Sequence, residues 1–467
     1  MKNLLFNGLF IAIAGCLALN VSAQTSSTYF LENYVYNYRL NPAIMAEKSF
    51  LGFGVGNIAA DLDSDLGVST LLYPDKDGEG LVTGFNGSVS SEEFLSKIND
   101  INNLGLNVNY NLFSVGKRRE NRMTNFEINL RALGSANISG DLFEFLKTGT
   151  DNGSCDLSTT ALNANSFAEI AYGKAFQNKK QNFVFGFRVK ALVGLAGAEI
   201  NLNNTQIQLS EDKMFVDVNA QAKIACAPIT GISTSEDGKI NIQSDLTKIS
   251  PCGYGGAVDL GLVWKPFDRL SLSASISDLG LMQWNYNQLA ESKGYVEFNG
   301  VDATKPDTDF EEEIKSVGDQ FTKLINLQSV NGTSSRLSMI PFTARAGAKF
   351  RLPIFNFIKI GAHASYHNAI CPVWDARLGA SVTPFNFLSL SANIGKSNYG
   401  TVCGGAVSLS LLFFNLYVAL DSYSGAIGLY TPDEQLPMNI KGIPYPVDKF
   451  NYKLNVGLTM QLGKRYK

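Results

Sequence analysis

The chain has 467 residues, a formal net charge of −3 and only 17% charged residues, so it lacks the basic surplus of a nucleic-acid binder and carries less charge than the roughly 25% of an ordinary globular protein. Its mean hydropathy is +0.00, and beyond residue 23 no segment approaches the ~18 uninterrupted apolar residues of a membrane-spanning helix. With 43 Gly, 30 Phe and 18 Tyr, the composition fits apolar character spread over alternate residues, as in a membrane β-barrel.

Residues 1–23 read as a secretory signal peptide. Lys2 gives a positive start, Leu9 to Leu19 an apolar core, and Val21-Ser22-Ala23 a small-residue cleavage site. Ile13-Ala14-Gly15-Cys16 supports a rival reading as a lipoprotein signal. Residues 24–48 are aromatic and irregular, with Tyr34, Tyr36 and Tyr38 ahead of Leu40-Asn41-Pro42, and Pro42 stops any strand there. Five cysteines follow the leader at irregular spacing and without a CxxC pair, which fits neither a disulfide framework nor a zinc ribbon.

Leu51, Phe53 and Val55 alternate with glycines and open a first strand. The acidic stretch 61–80 reads as a loop, and 91–101 as a short helix with a serine cap before Glu92 and Glu93. Leu104, Leu106, Val108, Tyr110 and Leu112 then alternate with Gly105 and three asparagines, a strand with one face for lipid and one for a polar lumen. Residues 116–122 form a basic turn, and Phe126, Ile128 and Leu130 mark the next strand. A helix is expected over 141–147, and further strands at 168–172 and 183–189. The polar residues 199–249 read as an excursion beyond the wall.

A repeated pattern governs the rest. Residues 266–276 read Pro-Phe-Asp-Arg-Leu-Ser-Leu-Ser-Ala-Ser-Ile, and 384–394 read Pro-Phe-Asn-Phe-Leu-Ser-Leu-Ser-Ala-Asn-Ile, with looser copies at 353–360 and 414–418. Proline and Asx between two alternating runs mark a tight reversal, because Pro presets φ and the Asx side chain closes its own turn. Residues 278–339 form the longest insertion, with an amphipathic helix pattern from Phe310 to Ile325. Residues 423–449 are a proline-rich loop, and Tyr452 to Leu462 alternate in a terminal strand.

Short turns lie on the periplasmic side of outer-membrane barrels and long loops outside. Setting the Pro-Phe-Asx turns in the periplasm places both chain ends there and every long insertion outside. The strands then start near residues 50, 104, 125, 166, 182, 257, 270, 340, 357, 374, 388, 403, 416 and 452. The expected fold is all-β: a transmembrane antiparallel up-and-down barrel of about 14 strands over 49–467, with short helices in loops and long extracellular insertions at 199–253 and 278–339.

Catalytic chemistry is sparse. His363 and His367 stand about 13 Å apart on one strand face, too far to share a metal, and Ser365 between them lacks a nucleophile elbow. The glycine-rich 252–256 and 403–405 lead into strands, whereas phosphate cradles need a helix start. Arg345 and Lys349, and Asp375 and Arg377, point inward by alternation, either as solvated lumen charges or as a selectivity lining. The expectation is no enzyme and no cofactor.

Several segments resemble an outer-membrane barrel family of Bacteroidota known as a domain of unknown function, distantly similar to FadL-type transporters and PorV-type secretion accessory barrels. The resemblance rests on Leu40-Asn41-Pro42-Ala43, on Gly140 through Gly149, on Phe167 through Gly173 with Gly186 through Lys190, and on Ser277-Asp278-Leu279-Gly280 through Trp284. It implies localisation in the bacterial outer membrane, about 14 strands and an N-terminal periplasmic or plug segment, for which 24–48 is the candidate. Tyr34, Tyr36 and Tyr38 would then border an inner apolar pocket. Two functions follow: binding or passage of a hydrophobic or amphipathic small molecule, or a non-enzymatic scaffold for secretion, assembly or surface attachment of an exported protein. Membrane lipids are expected partners in both, and nucleic acid in neither.

Overall fold

A computed structural model of the chain describes residues 25–54, 57–74, 81–148, 153–209, 214–226, 229–234, 240–244, 250–298, 328–330, 332–368, 372–423, 427–430, 443–446 and 451–466. The signal-peptide reading and the amphipathic pattern at 310–325 lie outside these residues.

Alternation between Gly- or Ser-rich and large apolar positions produces long antiparallel strands, and they close on themselves. The wall comprises β1 (Ser49–Phe53 continued by Ile58–Ser64), β2 (Ile101–Arg119), β3 (Arg122–Ser139), β4 (Ala161–Gln177), β5 (Phe183–Leu202), β6 (Gly253–Phe267) and β7 (Leu270–Tyr286). It continues through β8 (Ser334–Ile340 and Thr343–Arg351), β9 (Ile358–His367), β10 (Val373–Phe385), β11 (Leu388–Ser397), β12 (Gly400–Leu411), β13 (Phe414–Tyr423) and β14 (Asn451–Leu462). Each strand pairs with the next, and β14 returns to β1 through Ile58↔Val456 and Leu51↔Met460. The result is a closed 14-strand barrel, with every strand start within six residues of the one the sequence pattern gave.

Closure leaves no open edge, and the outer face is apolar. On β6, Val258, Leu260, Leu262 and Trp264 are exposed while Asp259 between them is 0% exposed. A surface of this kind is stable only in lipid, where a closed barrel satisfies every backbone group internally. Together with the even strand number, it makes the chain an outer-membrane β-barrel. The repeated turns add a girdle at one end, where Phe267, Phe355, Phe357, Phe385, Phe387, Phe413 and Phe414 are all exposed, as aromatic rings at a membrane–water boundary are. Tyr254, Tyr366 and Trp374 are exposed near the opposite end.

Six of the hairpin turns, those after β2, β4, β6, β8, β10 and β12, fall at one end, hereafter the hairpin end, and β1 and β14 begin and finish there in register Ser49↔Leu462. By contrast, β11 and β12 are joined by an equally tight turn, Ser397↔Gly400, at the opposite end. The insertion end carries a sheet outgrowth in which Met214–Cys226 pairs with β5 on one side and with Gln288–Phe298 on the other. Part of the 199–249 stretch is therefore ordered sheet continuing from the wall. Among the short helices, α1 (Ser27–Phe30) and α2 (Asn37–Leu40) lie in the N-terminal segment. Next come α3 (Val68–Leu71), α4 (Ser91–Leu95), capped by the Ser90 side chain accepting from the Glu93 N–H, and α5 (Gly140–Thr148).

Several boundaries differ from the sequence reading: residues 116–119, expected in a basic turn, belong to β2, the helix expected over 91–101 ends at Leu95, β4 begins at Ala161, and β8 begins at Ser334 inside the expected insertion. Two further differences bear on the interior. Asp61 and Asp63 are in β1, not in a loop, because they alternate inward and meet Lys453 inside the barrel. β7 does not end at residue 278; it crosses a bulge at Asp278, where φ is 63°, and runs on to Tyr286. The bulge turns Met282, Trp284 and Tyr286 inward, on the parity that Ser271 to Ser277 would have assigned to the outside.

Candidate functional site

The barrel interior is filled by its own N-terminal segment. Residues 25–46 are buried almost throughout. Two single-turn helices fold them into a compact body whose contacts reach around the wall. Phe30 lies against β10 at Gly379, where an added Cβ would meet the ring at 2.8 Å, and Pro42 packs on the Gly186 backbone of β5 in the same manner. Larger residues at these two wall positions would push the segment inward.

The three tyrosines stitch the segment to the wall. Tyr34 Oη accepts from Asn455 Nδ2 at 3.0 Å, Tyr36 Oη meets Ser114 Oγ at 2.8 Å, and Tyr38 Oη donates to Glu127 at 3.0 Å. Their rings pack with Tyr417 and Phe50, the Tyr34–Tyr417 centroids 4.8 Å apart. Tyr34 also lines the cavity at the hairpin-end mouth.

Beside Tyr38 begins a buried ion network. Arg39 donates to Glu127 Oε2 through Nε at 2.9 Å and Nη2 at 2.7 Å. Glu127 also pairs with Arg188, which reaches Asp259 at 3.0 Å. Lys190 joins Asp259 at 2.8 Å to Asp278 at 2.6 Å, and Arg131 joins Asp278 at 2.8 Å to Glu169 at 3.1 Å. Four cations thus meet four carboxylates, so the buried charge is compensated, as its removal from water requires. The bulge at Asp278 brings that carboxylate to both Lys190 and Arg131.

The inward charges read from the sequence fall into separate places. Asp375 and Arg377 pair at 3.1 Å, Arg377 reaches Asp421 at 2.9 Å, and Ser26 and Ser27 of the inner segment bond to Asp375 and Asp421. Arg345 Nη1 donates to Ser277 Oγ at 2.7 Å. Lys349 lies 3.7 Å from Glu32 near the hairpin end, where Lys359 is at 2.5 Å from the same carboxylate. Burial alone would raise the Glu32 carboxyl, but Lys349 and Lys359 outweigh it and hold it below the ordinary range. Asp375 and Arg377 are 3% and 2% exposed, so they face packed protein and not an open aqueous channel. The inner segment, which strand alternation alone does not place, occupies the space. Ser365 donates to Asp375 at 3.0 Å and His363 Nδ1 lies 4.0 Å from the same residue. The aspartate thus stands between serine and histidine, and this order is not that of a base-activated nucleophile.

Three spaces adjoin the inner segment or the ion network among the described residues. A central polar cavity of about 60 Å³, walled by Arg39, Asp61, Glu127, Lys190 and Asp278, holds room for a few waters. A cavity of about 970 Å³ opens at the hairpin end. A chamber of about 340 Å³ lies toward the insertion end, lined by Leu133, Trp284, Tyr286 and Ile340 together with Asp61, Asp63, Arg336 and His367, Arg336 being the cross-strand neighbour of Trp284. Arg336 pairs with Glu199 at 2.7 Å, and Tyr286 Oη donates to the same carboxylate at 3.5 Å. The aromatic lining of this chamber escaped the sequence reading. The available signal was the change of apolar parity from Leu270-Leu272 to Met282-Trp284-Tyr286 across Asp278.

The sequence profile described as "Family of unknown function (DUF5723)" matches residues 42–421. The chain belongs to this family. No curated protein matches the sequence. Solved structures similar to this family member include the following three. The Pseudomonas putida toluene transporter TodX is 8% identical, with 95% of this chain and 98% of that one covered at a TM-score of 0.44. The Ralstonia pickettii toluene transporter TbuX is 9% identical, covering 96% and 100% at 0.46. A Pseudomonas aeruginosa FadL homologue is 11% identical, covering 95% and 100% at 0.46. The DUF5723 barrel's architecture stands on its own strand pairings.

Proposed function

We propose that this barrel binds an amphipathic small molecule in the chamber at its insertion end and passes it across the outer membrane, with residues 24–48 as a plug on the periplasmic, hairpin side. The observation that carries this reading is the chamber itself. About 340 Å³ of open space falls within the ~300–1,000 Å³ of small-molecule sites. Its lining mixes apolar and polar side chains: Leu133, Trp284, Tyr286 and Ile340 stand among Asp61, Asp63 and Arg336. A molecule with an apolar body and a polar end matches both kinds of lining, whereas a purely polar solute would leave the apolar part unmatched.

Passage beyond the chamber requires the plug to move, since the central cavity of about 60 Å³ admits water and little else. The Arg39 contacts to Glu127 define what must break. The test is native mass spectrometry of the barrel purified gently from its own membrane. A bound amphiphile that is retained by the parent and depleted by Trp284→Ala supports the reading. A chamber that is empty in repeated preparations, in parent and variant alike, contradicts it and favours the scaffold function, for which the sheet outgrowth at 214–226 and 288–298 supplies a surface.

A further inference from the structure

The cavity at the hairpin end has a composition unlike the rest of the chain. Nine cationic side chains and three acidic ones line it, a surplus of six positive charges (nine minus three) in a protein whose net charge is −3. Three of the cations are compensated: Lys349 and Lys359 share Glu32, and Arg465 pairs with Glu47 at 2.5 Å. Among the described residues, Arg118, Lys179, Lys180, Lys265, Arg269 and Arg351 have no carboxylate within ion-pair distance. Lys265, Arg118, Arg351 and Lys359 line the same cavity, with Asp268 in the adjoining turn. Like charges gathered in one concavity destabilise it until an anion enters.

The arrangement of the six says what kind of anion. They come from β2, from the β4–β5 turn, from the end of β6 and its turn, and from β8. Six inter-strand spacings separate β2 from β8, an arc of at least about 29 Å. A single phosphate or carboxylate headgroup meets one or two of these residues, whereas an extended chain of about nine residues spans the arc. The inner segment also lines the cavity, where it presents the half-buried Ile44 and Met45 beside the charged residues. An extended strand with alternating acidic and apolar side chains satisfies the charged and the apolar lining at once.

We propose that the hairpin-end vestibule is a docking site for an acidic, partly apolar extended peptide segment of another protein, bound on the side opposite to the small-molecule chamber. It is separate from the chamber and does not depend on what the chamber binds. The test uses the full barrel in nanodiscs and a peptide of about twelve residues that alternates Glu and Leu and carries a neutral dye, read by fluorescence anisotropy. Saturable binding is expected, about tenfold weaker for the Gln-for-Glu peptide and about tenfold weaker when salt rises from about 0.05 M to about 0.3 M. The variant Lys265→Gln, Arg269→Gln, Arg351→Gln should lose a similar factor, while Lys293→Gln on the exposed outgrowth should lose none. Should the triple variant fail to fold, Lys179→Gln with Lys180→Gln, in an exposed turn, gives the same reading with a smaller loss. Equal binding of Glu and Gln peptides, or no loss in the charge variants, overturns the proposal. So does binding that is present in phosphatidylcholine nanodiscs and abolished in phosphatidylglycerol ones, since lipid headgroups would then be the vestibule's ligand.

Discussion

Arg39 of the inner segment and Glu127 of β3 are 88 residues apart in sequence and 2.7 Å apart in space, both almost wholly buried. The pair is the junction between the two parts of the molecule, the closed wall and the segment inside it. Removing one partner of a buried ion pair typically costs about 3–5 kcal/mol, because the other charge is left uncompensated away from water. Glu127 serves Arg39 and Arg188 together. Glu127→Gln should therefore destabilise more than Arg39→Ala, which leaves Glu127 with Arg188. Urea unfolding of the barrel in lipid vesicles measures the order, and the reverse ranking would mean that the network is not organised around Glu127.

Neighbouring residues on β10 test the facing of the wall. Leu378 points to lipid at 67% exposure, and Arg377 points inward at 2%. Leu378→Arg should cost roughly 2–4 kcal/mol in a bilayer, where the guanidinium has no water. Arg377→Leu should also destabilise, by leaving Asp375 and Asp421 without their cation. A harmless Leu378→Arg in vesicles would contradict the membrane-facing surface.

The Glu32 contacts predict a pH dependence. Its carboxyl is held below its ordinary range by Lys349 and Lys359, so its contribution is complete above the unfolded-state value and is lost as pH falls through the folded one. Protease accessibility of the inner segment should rise on acidification below the ordinary carboxylate range. In Glu32→Gln it should be raised already at neutral pH and should change less on acidification. An unchanged acid response in that variant would assign the effect to another group.

Much of this was legible in the sequence, and the reasons are specific. The Pro-Phe-Asx turns near 266 and 384 fixed hairpins, and strict alternation beside them fixed facing, because a period of two has only two phases. Asp61 and Asp63 were opaque, since acidic residues resemble loop until Lys453, nearly 400 residues on, is seen to pair with them. The bulge at Asp278 was opaque too. One residue with φ of 63° reversed the phase of β7 and hid Trp284 and Tyr286 from any argument by parity. Tyr34, Tyr36 and Tyr38 were visible as an aromatic cluster, but their hydroxyl partners on β2, β3 and β14 are separated from them by 75 to 421 residues.

Closure by the inner segment predicts low conductance. In planar bilayers the intact barrel should pass little current, given a central cavity of about 60 Å³. Arg39→Ala should raise the frequency of open events, and deletion of residues 25–46 should raise it further. Large steady conductance in the parent would show that the segment does not seal the lumen.

The most direct measurement concerns the chamber. Trp264 and Trp374 face outward, and Trp284 lines the chamber, so Trp264→Phe with Trp374→Phe leaves Trp284 as the one reporting indole. With this variant held in amphipol, its emission is titrated with straight-chain alkanols of increasing length. The account predicts a saturable change whose affinity rises about fourfold for each added methylene, the ~0.8 kcal/mol of burying one CH₂, until the chamber is filled. No saturable change, or an affinity indifferent to chain length, would contradict it.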